Sequence, residues 1–196
     1  MLDFGAFFRT IDMAQDMAEA YNLCRLLQQT SSVDGDVVEV GVYKGGSARL
    51  LNRYKSEDKR LYLFDTFEGL KDCGEKDRGG AIGNGSFAFR NYYQDVKILF
   101  EGCNVEVVMG YFPDSAPSGF EAKRFSFVHL DVDTYLSTLK SLSYFYDKMS
   151  PCGVFIIHDY ISHDAPGVKK AVDEFLDDKN EKVTFLVDSQ VMIAKL

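Results

Sequence analysis

The sequence predicts a doubly wound α/β fold, a mostly parallel seven-stranded sheet with an antiparallel edge and helices on both faces. Three observations carry that expectation. Short, almost wholly apolar runs alternate with amphipathic helical stretches along most of the chain, the pattern of strands buried on both faces. The last two apolar runs are separated only by Asp188, Ser189 and Gln190, too few residues for a crossover, so they pair as an antiparallel edge. The first apolar run ends in a glycine-rich turn, where open α/β sheets bind ligands.

The elements follow in order. Residues 1–34 read as an N-terminal helical segment packed on the core, with Met13, Met17, Ala20, Tyr21, Cys24 and Leu27 on the inner stripe of one amphipathic helix. Asp36 to Gly41 is the first strand, and Gly46 to Tyr54 a helix with Leu50, Leu51 and Tyr54 inward. Leu61 to Asp65, Val105 to Met109 and Phe125 to Leu130 are the next three strands. Tyr135 to Met149 reads as a helix with Leu136, Leu139, Leu142, Phe145, Tyr146 and Met149 on one side, followed by a fifth strand from Val154 to Ile157. Val168, Ala171, Val172, Phe175 and Leu176 mark the clearest helix, with Pro166 in a helix-start position. Val183 to Val187 and Val191 to Ala194 close the sheet. The stretch from Lys71 to Asn91 is polar, glycine-rich and without period, so it is either a lid over a ligand or a passive insertion.

At 196 residues the chain suits one domain. Its net charge of −8, with no basic block, argues against nucleic acid as a partner, because phosphate neutralisation needs clustered Lys and Arg. The four cysteines form no CxxC pair and suggest neither a zinc site nor a disulfide framework. The N-terminus has no secretory signature, and no apolar run reaches the ~18 residues of a membrane span. A soluble, cytoplasmic protein with no membrane partner is expected.

The strand ends carry the chemistry. After the first strand, Gly41 permits a tight turn, while Gly45 and Gly46 would let a ligand approach the start of the next helix. The GxxxGG spacing is neither a dehydrogenase fingerprint nor a P-loop. Glu39, inside a buried strand, needs either a ligand ammonium group or several backbone amides. Asp65 ends the second strand twenty-four residues after Gly41, where an acid holds a ribose diol. Phe67 either stacks on an adenine or belongs to the core.

EVGVYKGGSA, FDTFEGL, YFPDSAP, FVHLDVDTY, HDY and PGVKKAVDEF together resemble the macrocin O-methyltransferase family, over about residues 35 to 179. The resemblance implies a class I methyltransferase-like Rossmann fold, an S-adenosylmethionine-dependent methyltransferase domain over residues 35–196, and S-adenosyl-L-methionine as cofactor. It implies that Glu39, Gly41, Tyr43 and Ser47 contact the methionine portion and that Asp65 holds the ribose, with Thr66 and Phe67 beside it. Gly110 and Phe112 would lie near the adenine, and Asp131 would also be among the cofactor-binding residues.

At the other end of the crevice, His129-Leu130-Asp131-Val132-Asp133 and His158-Asp159-Tyr160 end adjacent strands, and converging carboxylates call for a hard cation. Related metal-dependent methyltransferases place ligands at the positions of Asp131, His158 and Asp159, the middle one commonly acidic. Histidine there suits softer ions better than Mg²⁺, so the site takes Mg²⁺ or another divalent cation, or else His158 is a general base and no metal is required. His158, Asp131 and Asp133 are the candidates to accept the proton of a hydroxyl being methylated. Asp133 is alternatively a helix cap, His129 a satisfied core residue, and His163 a loop residue facing substrate or solvent.

The resemblance points to a small-molecule acceptor, a sugar or glycosylated natural product carrying the hydroxyl. Two rival readings stand beside it. One is a cofactor-binding protein without catalysis; the other is a non-haem iron oxygenase using His129 and Asp131 as an HxD pair. With one clear helix before the first strand, a partner subunit could complete the site, which is the argument for a homodimer.

Overall fold

Strand alternation sorts the apolar side chains to the two faces of one sheet, and that sorting decides where each helix lies. The computed structural model describes residues 4–196. Seven strands form a single sheet in the order β3-β2-β1-β4-β5-β7-β6. They are β1 (Asp36–Val40), β2 (Leu61–Asp65), β3 (Val105–Met109), β4 (Phe125–Leu130), β5 (Met149–Ile157), β6 (Thr184–Phe185) and β7 (Val191–Ala194). Strands β1 to β5 pair in parallel, while β7 runs antiparallel to both β5 and β6.

One face carries Val38, Val40, Phe64, Val128, Leu130, Phe155 and Ile157 beneath α5 (Tyr135–Phe145) and α6 (Pro166–Leu176). The other carries Val37, Leu61, Leu63, Phe127, Val154 and Ile156 beneath α2 (Met17–Gln29), α3 (Gly46–Tyr54) and α4 (Tyr93–Leu99). On the first face an aromatic cluster fills the space between sheet and α5. Phe112 stacks on Phe145 at 4.9 Å, and Phe125 meets Phe145 edge-on at 5.1 Å.

Several boundaries differ from the sequence expectation, each for a physical reason. The N-terminal segment is two helices, α1 (Phe4–Phe8) and α2, because Asp16 opens a capping box. Its Oδ1 accepts from the amides of Ala18 and Glu19, both at 2.8 Å, and Glu19 Oε2 accepts from the Asp16 amide at 3.2 Å. Within α2 the inward face is Ala20, Leu23, Cys24 and Leu27, while Met17 and Tyr21 of the expected stripe are exposed. Helix α5 ends at Phe145, and its inner face is Thr138, Ser141, Leu142 and Phe145, with Leu136 turned outward. Strand β5 starts at Met149 rather than Val154, since Pro151 and Gly153 hide a strand that an irregularity opposite Phe125–Phe127 accommodates. The short helix α4 lacks a long apolar period, and Val96 alone is fully buried along it. Strand β6 keeps only Thr184 and Phe185 of the expected five residues.

No helix among the described residues is long and apolar enough to cross a membrane. Replacing Phe125, which has 0% exposure, removes the ring against which Phe120 and Phe145 pack. Phe125→Ala is expected to cost about 3–5 kcal/mol of stability, read as a lowered denaturant midpoint with an unchanged slope.

Candidate active site

The strand order reverses between β1 and β4, whose outgoing connections lead to helices on opposite faces and leave a crevice beyond their carboxyl ends. A cavity of about 490 Å³ opens there, within the usual range for a small-molecule site. Gly41 sets its floor. A Cβ at Gly41 would stand 1.8 Å from the Asp131 carbonyl oxygen, and its φ is +90°, so only glycine lets the β1 and β4 tips come this close. At Gly46 the missing Cβ makes room for the chain itself, since a Cβ there would sit 2.3 Å from Met13. The N-terminal segment, rather than a ligand, takes that space.

Asp65 grips the turn after β1. Its Oδ2 accepts from the amides of Val42 and Tyr43, both at 2.7 Å, and its Oδ1 from Phe67 at 2.6 Å. Oδ2 is filled by its two amides, while Oδ1 keeps a further lone pair for a ligand hydroxyl. Tyr43, Ser47, Asp65, Thr66, Gly110 and Phe112 line the cavity, as do Gly41 and Phe67. Phe67 and Phe112 are mostly buried in the two apolar clusters, 5% and 4% exposed, and show little surface to it.

Glu39 does not line the cavity. It lies under the floor with 0% exposure, Oε1 2.8 Å from His129 Nδ1, because the parallel register sets the two residues side by side on one face. Among the described residues its Oε2 has no partner, and neither does His129 Nε2. Burial raises the Glu39 carboxyl pKa against the pull of His129. His129 is thus a buried partner of Glu39.

At the reactive end, His158 sits in a ring of carboxylates. Nδ1 lies 2.8 Å from Asp159 and 3.5 Å from Asp131, and Nε2 lies 3.0 Å from Glu19 Oε1, off the ideal N–H line. Burial alone would lower the His158 pKa, but the charges of Asp131, Asp159 and Glu19 push it up to about 12. Asp131 is raised by burial, and the Gln15 side-chain amide donates to its Oδ2. Asp133 is raised well above the usual carboxylate range by burial and by the charges of Asp131 and Asp159. Asp159 is lowered, because the hydrogen bond and charge of His158 outweigh its burial. Asp133 and Asp159 both adopt left-handed backbone, φ +61° and +62°, a strain that aspartate tolerates and that gathers at functional sites.

Asp133 lines the cavity and does not cap α5; Thr134 does, accepting from the Ser137 amide at 3.3 Å. His163 is exposed and outside the cavity lining. Among the described residues one group of three brings His, Cys, Asp or Glu donor atoms within 4.8 Å of one another, and it is Asp131, His158 and Asp159. His129 is not in it, so the HxD pair forms no iron-type triad.

The loop after β2 is a wall tied to its neighbours. Asp72 accepts from Tyr111 and Ser137 at 2.7 Å and from Thr134 at 2.9 Å, while Asp77 accepts from the Tyr135 amide at 2.7 Å. Both acids thereby sit at the positive end of the α5 dipole. Sequence reading missed Gln15, Glu19 and Asp72. The Asp16-x-x-Glu19 spacing marks a helix start and was the one local signal for Glu19; Asp72 carries none.

His129→Leu is expected to cost about 1–3 kcal/mol by leaving Glu39 buried without its partner. The double replacement Glu39→Leu with His129→Leu should recover part of that loss. Urea unfolding checks both, and an unchanged midpoint in the single variant would refute the pairing.

Comparisons with known proteins bear on this geometry. The model of the macrocin-O-methyltransferase (TylF) family matches residues 14–190. A demethyldecarbamoylnovobiocin O-methyltransferase of Streptomyces niveus is 30% identical over 158 residues, 74% of this chain and 59% of that enzyme. The solved calicheamicin methyltransferase CalS11 has a TM-score of 0.83 at 18% identity, over 98% of this chain and 82% of that one. An O-methyltransferase from Bacillus cereus, solved in complex with SAH, has a TM-score of 0.66 at 17% identity, over 97% and 86%. These structural likenesses show the fold. The matches span 54% to 61% of the length of the curated relatives.

Proposed function

The chain belongs to the macrocin-O-methyltransferase family, and we propose that it transfers the methyl group of S-adenosylmethionine to a hydroxyl of a sugar or glycosylated small molecule. The observation that carries this reading is the sharing of one crevice by two sets of groups. Asp65 and the glycine turn line the same cavity as Asp131, Asp133, His158 and Asp159.

The residues fit an adenosyl cofactor. Asp65 Oδ1 retains acceptor capacity for a ribose hydroxyl, and Phe67 and Phe112 offer apolar surface to an adenine. Glu39 lies beside Ser47, one layer below the cavity, and does not itself reach the space where an ammonium group would lie. When bound, the cofactor supplies a methyl group already activated by a sulfonium charge, so the protein's task is mainly alignment, which can contribute ~7–11 kcal/mol.

The donor atoms of Asp131, His158 and Asp159 also fit a divalent cation, two carboxylates and one imidazole being an ordinary donor set for a first-row ion. A bound cation would stabilise negative charge developing on the acceptor oxygen. His158, ringed by three carboxylates, holds its own proton and so is a poor proton acceptor. That role falls to Asp133, whose environment and that of Asp159 push two adjacent carboxyl pKa values apart.

A second reading, cofactor binding without turnover, draws on that same proton-holding His158, where related enzymes commonly carry an acid. It predicts binding of S-adenosylhomocysteine with no methylation of any hydroxylated acceptor in a screen.

Calorimetric titration with S-adenosylhomocysteine tests the cofactor assignment. Binding should weaken roughly 10- to 100-fold in Asp65→Ala, which removes hydrogen bonds to a charged acceptor. No heat from the unaltered protein at high concentration would sink the methyltransferase reading.

The pH dependence of turnover tests the proton acceptor. A raised Asp133 pKa means the deprotonated form appears only well above the ordinary aspartate value of 3.8, so kcat/KM should climb with pH through that later range. Asp133→Asn should remove this limb and lower kcat by about 10²- to 10⁴-fold. A limb that persists in the variant reassigns the base.

A further inference from the structure

This inference rests on the reading of Asp131, His158 and Asp159 as a cation site. We propose that Glu19 is a positioning residue for His158, and that the Glu19–His158 pair biases the site towards a first-row transition dication and away from Mg²⁺.

The two ring nitrogens of His158 face different groups. Nδ1 faces Asp159 at 2.8 Å and Asp131 at 3.5 Å, while Nε2 faces Glu19 Oε1 at 3.0 Å. Only Nδ1 can therefore enter the coordination sphere of an ion held between the two aspartates. Nε2 stands at ion-pair distance from a carboxylate, off the ideal N–H line, and a carboxylate behind a metal-bound histidine orients the ring and raises its basicity as a ligand.

Glu19 cannot readily swing away from this duty. It is 3% exposed, and its other oxygen is occupied by the capping box, accepting from the Asp16 amide at 3.2 Å. Ser189 Oγ donates to Oε1 at 3.4 Å and holds it from the far side. The carboxylate is thus fixed by the start of α2 before it meets the imidazole. Gln15, on the same segment, donates to Asp131 Oδ2 and leaves Oδ1 as the oxygen nearest Nδ1. Two residues ahead of the sheet therefore set the orientation of two of the three donors.

The donor chemistry gives the direction of the bias. Mg²⁺ demands oxygen ligands in a near-octahedral array and dehydrates reluctantly, whereas imidazole nitrogen is a good ligand for the later first-row dications. Any site binds Co²⁺ better than an equally charged but harder ion once nitrogen is among its ligands, so the informative quantity is how far the preference depends on His158 and on its orienter.

The test is calorimetric titration of the full chain with Co²⁺ alone and Mg²⁺ alone, together with the visible absorption of the Co²⁺ form. It is done for the unaltered protein, Glu19→Gln and His158→Asp, each also titrated with S-adenosylhomocysteine. Glu19→Gln keeps a side chain able to complete the capping box, so the fold is retained. We expect it to weaken Co²⁺ roughly 10- to 100-fold, to shift the Co²⁺ absorption, and to leave Mg²⁺ little changed. His158→Asp should weaken Co²⁺, strengthen Mg²⁺, and so collapse the preference. Unchanged Co²⁺ affinity and spectrum in Glu19→Gln, or an unchanged preference in His158→Asp, would overturn the proposal. Failure of the unaltered protein to bind either ion would overturn it too, along with the cation site. S-adenosylhomocysteine binding in that last case would leave the methyltransferase reading standing on its own.

Discussion

The close approach of the β1 and β4 tips at Gly41 is the constraint on which the rest of the site depends. The Asp131 amide donates to Val40 O at 2.9 Å, and the Gly41 amide donates to Phe64 O at the same distance, so three neighbouring strand ends are tied at one level. A side chain at Gly41 would occupy the space of the Asp131 carbonyl. Displacing Asp131 would disturb the crevice on both sides, because the turn held by Asp65 hangs from β1 and β2, and Asp131 is itself one of the carboxylates around His158.

That shared frame explains how an acidic chain concentrates several carboxylates in a partly buried place. Asp131, Asp133, Asp159 and Glu19 would repel one another strongly in low dielectric without a cation among them. The His158 imidazolium supplies one positive charge, and the raised Asp133 pKa eases the repulsion by favouring its neutral form. The left-handed backbone at Asp133 and Asp159 adds local strain that the surrounding sheet and helices must hold in place. A cluster built this way is poised to exchange a proton for a metal ion, and such an exchange makes affinity depend on pH.

The N-terminal segment has a larger part than its position ahead of the sheet suggests. Met13 packs on Gly46, Lys44 pairs with Asp12 at 3.0 Å, and Gln15 and Glu19 reach the reactive cluster. One segment therefore touches the start of α3 and the far carboxylates. Together with the loop that carries Asp72, it lines the crevice with residues that the sheet alone could not provide.

The sequence by itself determined the order and type of nearly all the elements, because strands buried on both faces and helices with one apolar face leave local periodic signals. It also placed Asp65, Asp131, Asp133, His158 and Asp159 at strand ends, since topology makes strand ends converge. Only the tertiary structure decided that Glu39 faces His129, that Thr134 rather than Asp133 caps α5, and that Glu19, Gln15 and Asp72 belong to the site. The physical reason is range. A cap, a strand and a helical stripe are written within a few residues, whereas Glu19 and His158 meet across most of the chain, and their pairing depends on how two elements dock.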